Sequence, residues 1–238
     1  MNRTQLTQCL IDGGASLDLR DPEGNTALIR AAVVGLENIV ELLAISGADL
    51  EAKNKRKDSA VILCARMNTD ASFLSLEKLC ELGAKLDRQG SGGMTALMWS
   101  AHWGNVSFVK LLLSSGSLKS INARSHFGQT ALFHAVDNNC VDSAIFMLQH
   151  AEIDTNLGMR SDPPASVIAV VCRRNNVRAI ELIDALIERG ANPNTKGPEG
   201  YTPIMWTCVN GDKELCRKML FVGANPLIEN THGIDAVD

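Results

Sequence analysis

One phrase is written six times along this chain, and the spacing of its copies constrains the fold more than any single residue does. A Thr or Ser opens a run rich in small residues at Thr26 (TALIRAA), Ser59 (SAVILCA), Thr95 (TALMWSA), Thr130 (TALFHAV), Ser166 (SVIAVVC) and Thr202 (TPIMWTC). Successive copies stand 33, 36, 35, 36 and 36 residues apart. A second landmark follows in SGADLEA, LGAKLDR, SGSLKSI, RGANPNT and VGANPLI, and the first 20 residues supply one more, GGASLDL. Self-similarity at a fixed period of this size marks a repeat architecture.

Each copy reads as a helix pair. The Thr or Ser is placed to cap a helix, its side-chain oxygen accepting from first-turn N–H groups. Pro203 follows Thr202 at the first helical position, where its missing N–H is not needed. Small residues next in line, such as Ala31, Ala32, Ser100 and Ala101, let this first helix approach its neighbours closely. A second helix carries apolar residues at helical spacing, as in Ile39, Val40, Leu42 and Leu43. Gly47, Gly83, Gly116, Gly190 and Gly223 close it, because a left-handed C-terminal position favours Gly. One such pair cannot bury both apolar faces; stacking pairs in chain order can.

The period, the T-x-L helix start and the LLAISGAD ending resemble the ankyrin repeat, and the resemblance runs over essentially the whole chain. It implies an all-α, ankyrin-repeat solenoid of stacked helix-turn-helix units with short hairpin loops. The expected organisation is a single array over residues 1–238. A partial repeat at 1–20 precedes repeats at 21–53, 54–88, 89–124, 125–160, 161–196 and 197–230, and 231–238 begins a truncated one. Both ends thus fall within a repeat, which suggests a fragment of a longer protein.

Several positions depart from the family pattern. The usual T-P-L-H histidine is replaced by Ile29, Ile62, Met98, Phe133, Ala169 and Met205, so a greasier interior is expected. His134 comes one position later than the family histidine. The second and fifth units each carry three extra residues before the closing Gly. The fourth unit has His150 in place of that Gly, followed by a long loop over 150–166 in which Pro163 and Pro164 forbid a continuing helix.

Composition narrows the functional classes. At 45% hydrophobic, the chain is too apolar for disorder. Its net charge of −4 supplies no bulk basic field, and aromatics at 4% offer no stacking platform, so nucleic acid is not an expected partner. The seven cysteines, Cys9, Cys64, Cys80, Cys140, Cys172, Cys208 and Cys216, include no C-x-x-C pair and no zinc-type spacing. Most lie in apolar runs, which reads as reduced thiols in a cytoplasmic or other intracellular setting. The N-terminus lacks the apolar core of a signal peptide, and no run approaches the roughly 20 residues that cross a bilayer, so membrane insertion is not expected. The acceptor patterns at Asn2 and Asn105 are idle in such a setting.

No phosphate-binding loop, zinc-protease or nucleophile-elbow motif is present, so no catalysis and no cofactor or metal are expected. An alternative is an enzyme or enzyme subunit using the loop 150–166 with His134 or Cys140; Cys172 beside His134 is a second thiol–imidazole pairing to check. A third reading is a structural spacer.

The resemblance implies instead that function lies on the concave face, built from hairpin tips and first-helix ends. Position by position this gives Val33 and Val34, Arg66 and Met67, His102 and Trp103, Asp137 and Asn138, Arg173 and Arg174, Val209 and Asn210. The hairpins add Pro22, Glu23, His126, Phe127, Glu199 and Tyr201, and Trp99 lies one turn before Trp103. The partner-binding candidates are therefore Arg66, Met67, Trp99, His102, Trp103, His126, Phe127, Asp137, Asn138, Arg173, Arg174 and Tyr201. An aromatic middle flanked by an Arg pair points to a monomeric array binding a protein or peptide segment with an apolar anchor and a carboxylate. The resemblance also makes Asn122 and Asn194 candidates for asparaginyl hydroxylation.

Overall fold

A computed structural model describes residues 3–159 and 165–237, and among them every regular element is helical. The α-helices are α1 (Arg3–Asp12), α2 (Ala27–Val34), α3 (Glu37–Ile45), α4 (Ala60–Met67), α5 (Asp70–Glu81), α6 (Ala96–Trp103) and α7 (Val106–Ser114). They continue as α8 (Ala131–Asp137), α9 (Val141–Leu148), α10 (Val167–Arg174), α11 (Ala179–Glu188), α12 (Pro203–Val209) and α13 (Lys213–Phe221). Pro163 and Pro164, in the long loop of the fourth unit, lie outside the described residues, as does Asn2.

Packing divides the chain into two units. One comprises residues up to Ser100 together with Ser107–Ser120, the other Ala101–Val106 together with residues from Ile121 onward. In the first unit α2 and α4 lie side by side, and α1, α3 and α5 form a second row against them. In the second unit α8, α10 and α12 form one row and α9, α11 and α13 the other.

Burial differs between the rows, as the sequence pattern requires. The first helix of a pair is buried on nearly every side: Ala60–Ala65 in α4, Ala131–Val136 in α8 and Val167–Cys172 in α10. All six residues at the family-histidine position are buried, so the interior is apolar where a histidine is usual. The second helix buries only a stripe at helical spacing, such as Leu76 and Leu79 in α5 or Leu182, Ile183 and Leu186 in α11. Each such Leu removed from water contributes about 2 kcal/mol.

Thr26, Thr95, Thr130 and Ser166 cap their helices, accepting from the N–H three residues on at 3.2–3.4 Å. Ser59 and Thr202 do not. Their buried hydroxyls make no hydrogen bond within the chain, although an extended backbone still starts the helix at both. The extra residues of the second repeat lengthen α5 to 12 residues, against 9 in α3. Those of the fifth are spent mainly on a four-residue lead-in, Asn175–Arg178, and α11 has 10 residues.

Hairpins are tied to the next hairpin by side chains. Asp18 accepts from Asp49 N–H at 3.1 Å and Glu51 from Lys85 N–H at 2.7 Å in the first unit. In the second, Asn122 accepts from Asp154 N–H at 2.9 Å, Asn156 from Asn192 N–H at 2.9 Å and Asn194 from Asn225 N–H at 2.7 Å. The same Asn side chains donate to the carbonyls of Glu152, Gly190 and Gly223. Asn122 and Asn194, the hydroxylation candidates, thus have both ends of their amides occupied.

Each predicted closing glycine has a positive φ. Gly47 (φ 97) meets nothing within 4 Å, whereas a Cβ on Gly35 (φ 85) would stand 2.4 Å from Ala71 Cβ. Gly47→Ala therefore carries backbone strain alone, about 1 kcal/mol, and Gly35→Ala adds steric overlap for about 2–4 kcal/mol in total. Urea unfolding should show the Gly35 variant with the larger midpoint shift; equal shifts would contradict the close approach.

Candidate partner surface

The residues predicted from first-helix ends do stand at C-terminal ends of helices: Arg66 and Met67 end α4, His102 and Trp103 end α6, Asp137 ends α8, and Arg173 and Arg174 end α10. Each stands just before the second helix of the same pair.

In the first unit, Arg66 Nη1 donates to Asp58 Oδ2 at 2.9 Å. The Asp58 carboxylate is fully buried and also accepts from Ser91 N–H at 2.8 Å. The Arg66 guanidinium lies 5.8 Å from the centre of the Trp99 ring. These contacts give Arg66 a structural duty, because removing it would leave the buried carboxylate without its counter-charge. Met67 is about half exposed beside it. Arg66 and Met67 border a cavity of about 230 Å³, whose other walls include Ile29, Arg30 and Val33.

In the second unit, His102 and Trp103 meet edge to face with ring centres 5.0 Å apart. Asn138 Nδ2 lies 3.0 Å from His102 Nδ1 and donates to the His134 carbonyl at 2.9 Å, so one amide bridges two helix ends. Trp103 is 49% exposed and Phe127 69% exposed. His126 is exposed beside Phe127 in the hairpin turn.

The Arg pair is not a free positive flank. Asp137 Oδ1 accepts from Arg174 Nη2 at 2.7 Å and from Arg173 Nη2 at 3.3 Å. Two guanidinium groups share one carboxylate, which leaves a net positive charge there. Tyr201 stacks on Trp206 with ring centres 4.8 Å apart. Trp206, Arg173 and Glu199 border a cavity of about 220 Å³. Trp206 was not singled out from the sequence. The signal was present: it stands four residues after Thr202, as Trp99 does after Thr95.

The thiol–imidazole reading gains no chemistry from this geometry. Burial pushes the Cys140 thiol up, and its Sγ lies against the carbonyls of His102 and Asn138. Cys172 is buried and pushed up to about 12 by that burial and by Asp212. An attacking thiolate needs the opposite environment. Burial, with His102 nearby, holds His134 down to about 4, against a partial opposing pull from Asp137. Its Nε2 is buried and makes no hydrogen bond.

His134 couples stability to pH. The unfolded chain binds a proton near pH 6.5 and the folded chain only near 4, so the stability held by neutral His134 is complete above pH 6.5. It is lost as pH falls from 6.5 to 4, by on the order of 3 kcal/mol. Denaturant titrations at pH 7.5 and 4.5 should show His134→Gln losing less stability than the parent chain over that interval. Equal losses would contradict a buried neutral imidazole.

Among the described residues no helix is long and apolar enough to cross a membrane. A family model described as Ankyrin repeats (3 copies) matches residues 61–159, and the single Ankyrin repeat model matches residues 23–55 and 199–231. A putative ankyrin repeat protein, L371, of Acanthamoeba polyphaga mimivirus is 27% identical over 214 residues, which cover 88% of this chain and 27% of that protein. The B-cell lymphoma 3 protein homolog of Mus musculus is 25% identical over 195 residues, 81% of this chain and 42% of that protein. The chain thus spans less than half the length of these curated relatives. The crystal structure of the ankyrin repeat domain of Bcl-3 superposes with a TM-score of 0.76 at 22% identity, covering 90% of this chain and 93% of that one, which shows a shared fold. The family models alone account for more than half of the residues, and the chain belongs to the ankyrin repeat family.

Proposed function

We propose that the chain is a non-catalytic protein-interaction module whose helix ends and hairpin tips hold a partner protein or an extended peptide on the concave face. The observation that carries this reading is Trp103, a half-exposed aromatic side chain seated against His102, which Asn138 holds in turn. Large aromatic side chains on a pre-organised frame are the usual centres of binding energy. A stiff frame loses little freedom on association, so moderate contacts give useful affinity. Phe127 is a second exposed aromatic side chain in the same unit, and an apolar anchor on the partner matches such groups. The net positive charge of Arg173, Arg174 and Asp137 favours a carboxylate on the same partner, because two guanidinium groups can bridge two carboxylates. The seven free thiols agree with a cytoplasmic setting, and the module acts as a monomer.

The test is affinity capture from the native cell with the intact chain and with a Trp103→Ala, Arg173→Glu, Arg174→Glu variant of matched thermal stability. A Glu188→Lys variant, exposed on α11, serves as control. The triple variant should retain its specific partner at least about 10-fold less well while the control is unchanged. Equal retention by all three chains would remove this surface from the account.

A further inference from the structure

Two of the seven thiols face each other. Cys208 stands near the end of α12 and Cys216 in the first half of α13, with their Sγ atoms 4.0 Å apart. The bend between the helices is fixed by backbone hydrogen bonds. Gly211 N–H donates to the Cys208 carbonyl at 2.9 Å, Asp212 N–H to Thr207 at 3.1 Å and Cys216 N–H to Asp212 at 2.9 Å. The Asp212 side chain also caps α13, accepting from Leu215 N–H at 2.9 Å. The facing of the two thiols is therefore set by the hairpin itself.

Both are within reach of solvent: Cys208 is exposed and Cys216 partly so. They line one shallow depression with Lys213, Arg217 and Asp212. The contrast is with Cys64 and Cys172, which are buried and pushed up to about 12. A disulfide requires sulfurs about 2.0 Å apart, so the gap must close by about 2 Å, within the reach of side-chain rotation at an exposed position.

We propose that Cys208 and Cys216 form a reversible intramolecular disulfide on exposure to hydrogen peroxide, a modification site that ties α12 to α13. The thiolate of one cysteine of the pair attacks one peroxide oxygen, the O–O bond breaks, and the departing hydroxide takes a proton to become water. That cysteine is left as a sulfenic acid. The other cysteine gives its proton to solvent and attacks that sulfur; the S–O bond breaks and the hydroxide leaves as a second water. Two thiols are oxidised and one peroxide is reduced. Val209 and Asn210 follow Cys208, and Asn210 Nδ2 donates to the Cys172 carbonyl at 2.9 Å. The bond would thus form one residue from the edge of the proposed partner surface.

The experiment treats the full reduced chain with hydrogen peroxide, raised until exposed Cys9 is oxidised, then blocks remaining thiols and digests with trypsin. Cleavage after Lys213 and Arg217 places the two cysteines in separate peptides, Gly197–Lys213 and Glu214–Arg217. The expected first product is these two peptides linked, separable by dithiothreitol, at several-fold higher yield than any other disulfide and with Cys64 and Cys172 still blocked as free thiols. In the Cys208→Ser and Cys216→Ser chains the linked pair should be absent. Both peptides recovered singly from the parent chain, or bonded to other cysteines, would overturn the proposal.

Discussion

Burial of the first helix of each pair, on nearly all of its sides, is the constraint on which the rest of the structure depends. Six consecutive buried residues in α4, α8 and α10 cannot be covered by a single partner helix. Neighbouring first helices must lie alongside, and Ala, Ser and Cys at these positions allow that approach. The second helices then need only a stripe of apolar residues, because their outer face meets water. Once the pairs are aligned, successive hairpins fall into register, and short polar side chains reach from one hairpin to the next. Stability in such an arrangement is the sum of what each pair holds and what it shares with its neighbours.

That arrangement decides where chemistry can appear. The helix interiors are apolar, and buried thiols there are held protonated, so reactivity is confined to helix ends, bends and tips. The helix ends carry charge that is already partly matched. Arg66 answers the buried Asp58, and Arg173 and Arg174 share Asp137. A surface built this way is only partly neutralised.

Much of the fold was legible because its signals recur. A Thr or Ser cap, a small-residue helix and a closing Gly carry little information once and a great deal six times. The all-α architecture followed from that recurrence. The surface was legible only in part. The period places Asp137 and Arg173 at equivalent positions in adjacent repeats, yet nothing in composition says that the two side chains bond. Trp206 repeats the position of Trp99, yet its stacking on Tyr201 depends on a hairpin geometry that the period alone does not give. His134 could be placed by counting, but its neutral state depends on the side chains that bury it. Cys208 and Cys216 are eight residues apart but on two different helices, α12 and α13, so their meeting is a property of the hairpin alone.

Native-state hydrogen exchange on Leu79→Ala tests the nearest-neighbour account most directly. Leu79 is fully buried in α5 and its truncation leaves a cavity among α5 and its neighbours. The account predicts amide protection lost most in α4 and α5, less in α2 and α3, and retained in α10 to α13. A uniform loss from α1 to α13 would contradict it, because the chain would then unfold as one cooperative body instead of a series of pairs that lean on those beside them.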